Sequence, residues 1–320
     1  MTTHSFRHSI PAEILALSRE RDLLRRRGQY DRADVLKQQI EAAGYAIKDN
    51  PRGAHLVILP SIEVDGQVYR IARQLPSLLD EPDRCTFSVN ILSRNNYDQT
   101  VRCIESVLRF ADTTDIEIVL IDNASQDGID LWAEAYRYQE ERLRVLHITR
   151  TMGEAEARNV GLKQSRGRYI VLLDSNVELT GDIFMPLMQT LEDGSVGITG
   201  LHGLRTDDLR NFEESQDAVV DVIDTLCMAF RRVLLKEAGL FDERYRFPYY
   251  MDVDFNFTVR DLGTTLVVTP NLPIIRHAVL ADTKVSDAER TRLTKRNFYR
   301  FREKWGDRDD LLPEDEDDEE

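Results

Sequence analysis

Arg168-Tyr-Ile-Val-Leu-Leu-Asp-Ser-Asn176 is an apolar run that stops abruptly in the polar triplet Asp174-Ser175-Asn176. Continuous apolar character over Tyr169–Leu173 predicts a strand buried on both faces, as in a parallel sheet covered by helices. The triplet then emerges at the carboxyl end of that strand, where open α/β sheets bind ligands. A second stretch, Gly239-Leu-Phe-Asp-Glu-Arg-Tyr-Arg-Phe-Pro-Tyr-Tyr-Met-Asp-Val-Asp254, sets aromatic residues before two more carboxylates, Asp252 and Asp254. Acidic groups gathered at such an edge suit a divalent cation and the phosphates it bridges.

Working outward from this strand, the pattern from Phe87 onward alternates strand and helix. Residues 87–92, 116–121, 143–148 and 169–173 predict buried strands; 98–110, 129–141 and 154–165 predict the helices between them. Successive βα units imply right-handed crossovers and a mostly parallel sheet. Beyond residue 180 the pattern loosens. It predicts helices at 181–192, 232–238 and 252–262, strands near 196–199 and 222–230, and a terminal helix at 286–305 rich in Arg and Lys.

Upstream, residues 11–44 predict a pair of helices broken at Gly28, with Ile14, Leu17, Leu23 and Leu24 lining one and Ala33, Leu36, Ile40 and Ala43 the other. Asp65-Gly66 marks a β-hairpin between Ile62–Val64 and residues 68–71. The prolines and charges of residues 75–84 predict a linker. The expected organisation is a helical hairpin module at 1–53, a short β-hairpin and linker at 54–85, an α/β domain at 86–285, a helix at 286–312 and an acidic tail at 313–320 that solvates itself.

The chain has 320 residues, 42% of them hydrophobic, and a formal net charge of −15. That charge disfavours nonspecific attraction to nucleic acid or an anionic membrane. Cys85, Cys103 and Cys227 lack paired spacing, which argues against a disulfide framework or a thiolate zinc site. With no apolar run of spanning length and no signal-like apolar core at the N-terminus, the expectation is a cytoplasmic protein. Peripheral docking of the basic residues of 290–304 to a membrane is the minority alternative to a solvated helix face.

Asp122-Asn-Ala-Ser-Gln-Asp-Gly128 follows a predicted strand and reads either as turn and cap residues or, with Ser93-Arg-Asn-Asn96, as part of a nucleobase or ribose pocket. Arg158 reads as a surface cation or as a fork for a diphosphate. No glycine-rich Rossmann or P-loop motif is present, which disfavours hydride transfer and P-loop ATP hydrolysis. His147 reads as a satisfied interior or rim histidine, and Trp132 and Trp305 as packing residues.

Five motifs in order, Phe87-Ser-Val-Asn-Ile-Leu-Ser, Ile-Asp-Asn-Ala-Ser-Gln-Asp-Gly, Ala-Arg-Asn-Val-Gly-Leu, Tyr-Ile-Val-Leu-Leu-Asp-Ser-Asn, and Gly-Leu-Phe-Asp-Glu-Arg-Tyr followed by Asp-Val-Asp, resemble family 2 glycosyltransferases. The resemblance spans roughly Phe87 to His277. It implies an α/β chain with the GT-A nucleotide-sugar-binding fold, a mostly parallel Rossmann-like sheet, preceded here by the helical hairpin and the short β extension. It further implies inverting transfer of a sugar from a nucleotide-diphosphate sugar to an acceptor (glycan, lipid-linked or protein), with Mg²⁺ or Mn²⁺ as cofactor. By resemblance, Ser93, Asp122, Asn123, Arg158 and Asp174 would line the nucleotide pocket. Asp174 and Asn176 stand at the two ends of the family's DxD motif and, with His277, would face the metal. Asp252 matches the general base.

Two positions depart from the family pattern. Asn176 offers a neutral oxygen where relatives place a metal-binding aspartate, and Met251 replaces a common glutamate before the base. They leave open a degenerate module that binds a nucleotide or a partner without catalysis. Separately, Arg21, Tyr30-Asp-Arg-Ala-Asp-Val-Leu36, Ile40, Gly44, Asp49, Pro51 and Gly53 resemble the C-terminal helical tail of cysteinyl-tRNA synthetases. That likeness implies an RNA-associated adaptor with tRNA as a partner; the bland alternative is a hairpin used for packing or dimerisation.

Overall fold

Strands and helices form at every segment of the alternation that starts near Phe87. The structure, a computed structural model, describes residues 10–50, 53–245, 249–278 and 287–312. Two compact units divide between Leu75 and Pro76.

In the first unit, α1 (Ala12–Arg26) and α2 (Tyr30–Ala42) pack together across a turn at Gly28, which takes the left-handed φ of 72°. Ile14, Ser18, Arg21 and Leu24 are buried on α1, and Ala33 and Ile40 on α2. Leu23, expected in the stripe, is 51% exposed, because the buried face follows i, i+3 and i+4 from Ile14 and leaves Leu23 off it. The helical part stops at Ala42. Residues 45–50, assigned to the helical module from sequence, form β1 (Tyr45–Asn50), antiparallel to β2 (Gly53–Ile58). The Asp65-Gly66 turn joins β3 (Ile62–Val64) to β4 (Gln67–Tyr69), and both turn residues have positive φ, as a two-residue hairpin requires.

The second unit runs β5 (Cys85–Ser93), α3 (Tyr97–Phe110), β6 (Ile116–Asn123), α4 (Ile129–Tyr136), β7 (Leu143–Ile148), α5 (Glu154–Gln164), β8 (Gly167–Asp174), β9 (Val177–Leu179), α6 (Phe184–Glu192), β10 (Val196–Gly200) and β11 (Gly203–Arg205). It continues through β12 (Glu213–Ser215), β13 (Val219–Val220), β14 (Val222–Ile223), β15 (Cys227–Arg231), α7 (Leu235–Ala238), α8 (Met251–Asp261), β16 (Thr265–Val268), β17 (Ile274–Arg276) and α9 (Asp287–Trp305). Its main sheet has the order β13-β16-β10-β15-β8-β5-β6-β7. The β7-β6-β5-β8 half is parallel throughout, and β15 enters antiparallel beside β8.

Strand β8 shows why its sequence is continuously apolar. Tyr169, Val171 and Leu173 join one buried layer with Phe87, Ile104 and Phe184, whereas Ile170 and Leu172 join the opposite layer with Leu162, Phe230 and Phe255. Each such burial contributes about 1.5–3 kcal/mol before entropy is charged against it.

The segment 222–230, expected as one strand, is broken into β14 and β15. The Asp224 carboxylate accepts the Leu226 backbone N–H at 3.2 Å, a local turn that competes with the ladder. The helix expected over 129–141 stops at Tyr136, and the presumed linker is held in place: Arg232 donates to the carbonyls of Leu78 and Glu81 at 2.8 and 2.7 Å and to Asp83 at 2.6 Å. At the other end, buried Asp254 accepts from the Trp305 indole at 2.8 Å and from Lys304 at 3.1 Å. These bonds seat the last turn of α9 on α8, so Lys304 is not simply a solvated cation and Trp305 is a packing residue. The acidic segment 313–320, with His4 and His8, lies outside the described residues.

Gly161 permits close approach of α5 to the sheet. A Cβ there would stand 2.3 Å from the Asn90 side-chain oxygen and 2.6 Å from Ile121 Cδ1. Gly161→Ala should therefore destabilise the protein by about 1–3 kcal/mol through overpacking, read as a lower urea midpoint at unchanged m-value. An unchanged midpoint would refute that close fit.

Candidate functional site

Register fixes the site's floor. Ser93 at the end of β5 pairs with Asp122 on β6, Asp122 with His147 on β7, and Leu92 with Asp174 on β8. One sheet edge thus carries Ser93, Asp122, Asn123 and Asp174, the residues expected there.

Several of these side chains are spent on the protein itself. Ser93 Oγ shares a 2.7 Å hydrogen bond with Thr100 Oγ1 and is fully buried. Asn123 uses both ends of its amide on Met152, accepting its N–H at 2.8 Å and donating to its carbonyl at 3.2 Å. Asp122 accepts the Ser125 N–H at 3.0 Å and faces His147 Nδ1 at 3.4 Å, while His147 Nε2 meets Glu134 at 2.9 Å. Burial opposes ionisation of Asp122, but the bonds from His147 and Ser125 outweigh it and hold its pKa below the usual carboxylate value. The bond to Asp122 raises the His147 pKa against a desolvation penalty, with Glu134 adding to the rise.

Arg158 is not a surface cation. It is 3% exposed, donates to Asp174 Oδ1 at 2.8 Å and to Glu154 at 3.1 Å, and its Nη1 is buried with no hydrogen-bond partner. A buried donor left without a partner is an unmet hydrogen-bonding group next to the Asp174 ion pair.

Asn176 and His277 meet through the β9–β17 pairing. The His277 N–H donates to the Asn176 carbonyl at 2.9 Å, and the Asn176 amide donates to the His277 carbonyl at 3.0 Å. The imidazole Nε2 is directed at Glu178, 2.7 Å away. Asn176 Oδ1 and the Asp174 carboxylate are thus two oxygen donors separated by one residue. Among the described residues, no cluster of three or more His, Cys, Asp or Glu encloses a metal. A hard cation that shares its shell with water and substrate phosphates needs only one or two protein oxygens, and this pair fits that kind of site.

Asp252 opens α8 and accepts the Val253 N–H at 3.0 Å. It is partly exposed, yet desolvation, with Glu154 and Asp224 adding repulsion, raises its pKa to about 6. Asp224 was not anticipated as a site residue. It sits in the break between β14 and β15, and desolvation, helped by repulsion from Asp174, likewise raises it to about 6. The signal was present as a lone carboxylate inside Val222-Ile223-Asp224-Thr225-Leu226. Met251 is buried at 4% in the core layer of Phe230 and Phe255 and offers nothing to the cleft.

The profile described as Glycosyl transferase family 2 matches residues 88–253. The chain is 31% identical over 106 residues to the glycosyltransferase GlyG of Streptococcus pneumoniae, a match covering 33% of this chain and 35% of that one. It is 29% identical over 145 residues to the succinoglycan biosynthesis protein ExoO of Rhizobium meliloti, covering 44% and 40%. The chain therefore spans well under half the length of these curated relatives. Among solved structures, GalNAc-T7 with UDP, GalNAc and Mn²⁺ superposes with a TM-score of 0.60 at 17% identity, covering 71% of this chain and 49% of that one. The mannosyltransferase PcManGT of Pyrobaculum calidifontis, in complex with GDP-Man and Mn²⁺, gives 0.52 at 20% identity, covering 66% and 63%. The architecture shared with both is the GT-A fold.

The Asp122–His147 pair has a measurable signature. Protonated His147 stabilises the fold below its ordinary pKa of 6.5, and that contribution is lost as pH rises through the higher folded-state value. An NMR titration should place the His147 midpoint above 6.5, and His147→Gln should abolish that part of the pH dependence of stability. A midpoint at or below 6.5 would refute the pairing.

Proposed function

The chain belongs to glycosyl transferase family 2, and from that premise we propose that it is an inverting glycosyltransferase acting on a nucleotide-diphosphate sugar. One observation carries the proposal: Asp252, a carboxylate raised to a pKa of about 6, is acted on by Glu154, which shares Arg158 with Asp174, and by Asp224, on which Asp174 acts in turn. A base of that strength is ionised at neutral pH and still accepts a proton readily.

In this mechanism Asp252 takes the proton of the acceptor hydroxyl as its oxygen attacks the anomeric carbon. The bond from that carbon to the diphosphate oxygen breaks on the opposite face, and the nucleoside diphosphate leaves. Ser93, Asp122 and Asn123 shape the nucleotide end of the edge, Ser93 and Asn123 chiefly by bracing its loops through Thr100 and Met152. Arg158 orients Asp174 through their 2.8 Å bond. Mg²⁺ or Mn²⁺, held by Asp174 and Asn176 with His277 adjoining, would stabilise negative charge on the departing diphosphate. The Mn²⁺ in both structural neighbours supports that cofactor. Among the described residues no helix is long and apolar enough to cross a membrane.

A second reading, a module that binds nucleotide without turnover, is favoured by the neutral amide of Asn176 and by the burial of Met251. The two separate cleanly in a donor-hydrolysis and transfer assay with Mn²⁺ and UDP-, dTDP- and GDP-sugars. Asp252→Asn should lower kcat by about 10²–10⁴-fold while nucleotide affinity by calorimetry stays within about two-fold. The wild-type rate should fall as pH drops below about 6, where Asp252 protonates. Nucleotide binding without turnover of any donor would establish the second reading.

A further inference from the structure

The break between β14 and β15 carries a second carboxylate, Asp224, to the end of β8 that delivers Asp174. We propose that Asp224 binds the acceptor, receiving a hydrogen bond from a hydroxyl adjacent to the one that Asp252 deprotonates, so that the acceptor is a saccharide presenting a diol. This inference rests on the transferase reading.

Strand pairing and one buried amide define the geometry. Because β15 runs antiparallel to β8, with Cys227 opposite Leu173, the chain entering β15 lies at the end of β8 that delivers Asp174. The Asp174 N–H donates to the Leu226 carbonyl at 3.1 Å. Asn256 is fully buried and makes three bonds: it accepts the Ile223 N–H at 3.0 Å and donates to the Ile223 carbonyl at 2.9 Å and to the Asp252 carbonyl at 2.7 Å. One side chain therefore ties the residue before Asp224 to Asp252 itself.

The two carboxylates are in the same chemical situation. Each spends one oxygen on a backbone N–H, of Leu226 or of Val253, and among the described residues neither has a side-chain hydrogen-bond partner. The charged groups acting on Asp224 are Asp174, Arg276 and Glu214; those on Asp252 are Glu154 and Asp224. Partly buried carboxylates without such a partner are costly unless a ligand supplies hydrogen bonds. A lone alcohol satisfies one of them, whereas adjacent sugar hydroxyls satisfy both. Asp224 thus restores, from a different element, the acceptor-side carboxylate that Met251 does not provide. Asp224 takes no proton in the transfer step; the proton goes to Asp252 and the electron pair leaves with the diphosphate.

The test compares wild type, Asp224→Asn and Asp224→Glu with Mn²⁺, the nucleotide sugars above, and a panel of methyl hexopyranosides as acceptors. Asparagine keeps an oxygen for the Leu226 N–H, so the fold is retained, which the urea midpoint checks. Acceptor KM should rise about ten- to hundred-fold in Asp224→Asn, the loss expected for a charge-assisted hydrogen bond. Asp224→Glu, which keeps the carboxylate, should recover part of the KM. Monodeoxy glycosides lacking the adjacent hydroxyl should bind wild type and Asp224→Asn equally. An unchanged acceptor KM, or a wild-type preference for a Ser/Thr peptide or a polyprenol over every glycoside, would overturn the inference while the transferase reading stands. No wild-type turnover of any donor would overturn both.

Discussion

Strand β8 is paired parallel to β5 on one side and antiparallel to β15 on the other, and the polar edge of the sheet depends on that mixed pairing. Parallel pairing aligns the carboxyl end of β8 with the ends of β5 and β6, where Ser93, Asp122 and Asp174 stand. Antiparallel pairing brings the amino end of β15 to the same place, and with it Asp224. An all-parallel sheet would have sent the approach to β15 to the opposite edge. The polar groups of this edge therefore come from strands of both directions, joined by backbone bonds.

Electrostatics at this edge are unbalanced in a way that suits a cationic or proton-donating ligand. Asp174, Asp224, Asp252 and Glu154 influence one another, and Arg158 is the cation bonded directly among them. Arg158 is itself almost entirely buried, and its two carboxylate bonds offset the cost of burying its charge. The two carboxylates furthest from it in bonding, Asp224 and Asp252, are the ones raised to about 6. Burial that nearby cations do not offset is the physical origin of a base poised near neutrality.

The elements around the cleft are fastened by polar bonds placed in otherwise apolar surroundings. Asn159 holds the loop after Gly239 through paired bonds to the Phe241 backbone, at 2.9 and 3.0 Å, and Asp254 holds α9. Asp254 lies two residues from Asp252 in sequence but faces the opposite way on α8, into Trp305 and Lys304. One turn of helix thus divides its carboxylates between support and cleft, as the 100° step between residues requires. Tyr249 and Tyr250, both at positive φ, set the start of that turn.

Much of this was legible in the sequence by itself. Strand–helix alternation, the apolar run of β8 and the glycine of the α5 motif specify the parallel half of the sheet, because burial on two faces demands a local pattern. The placement of Asp174 at the end of a buried strand was legible for the same reason, whereas the role expected of Asp252 came from the family resemblance. Tertiary structure alone decided the rest. The short strands β9 and β17, which bring Asn176 to His277, have almost no local pattern and exist through pairing across about a hundred residues. Whether Asn123 faces a ligand or Met152, and whether Arg158 is exposed or buried, depends on neighbours distant in the chain. Asp224 lay unremarked inside an expected strand over 222–230; only the reversal of β15 beside β8 and the Asn256 bonds bring it to the end of β8 that carries Asp174, because the position of a turn residue is set by what its flanking strands pair with.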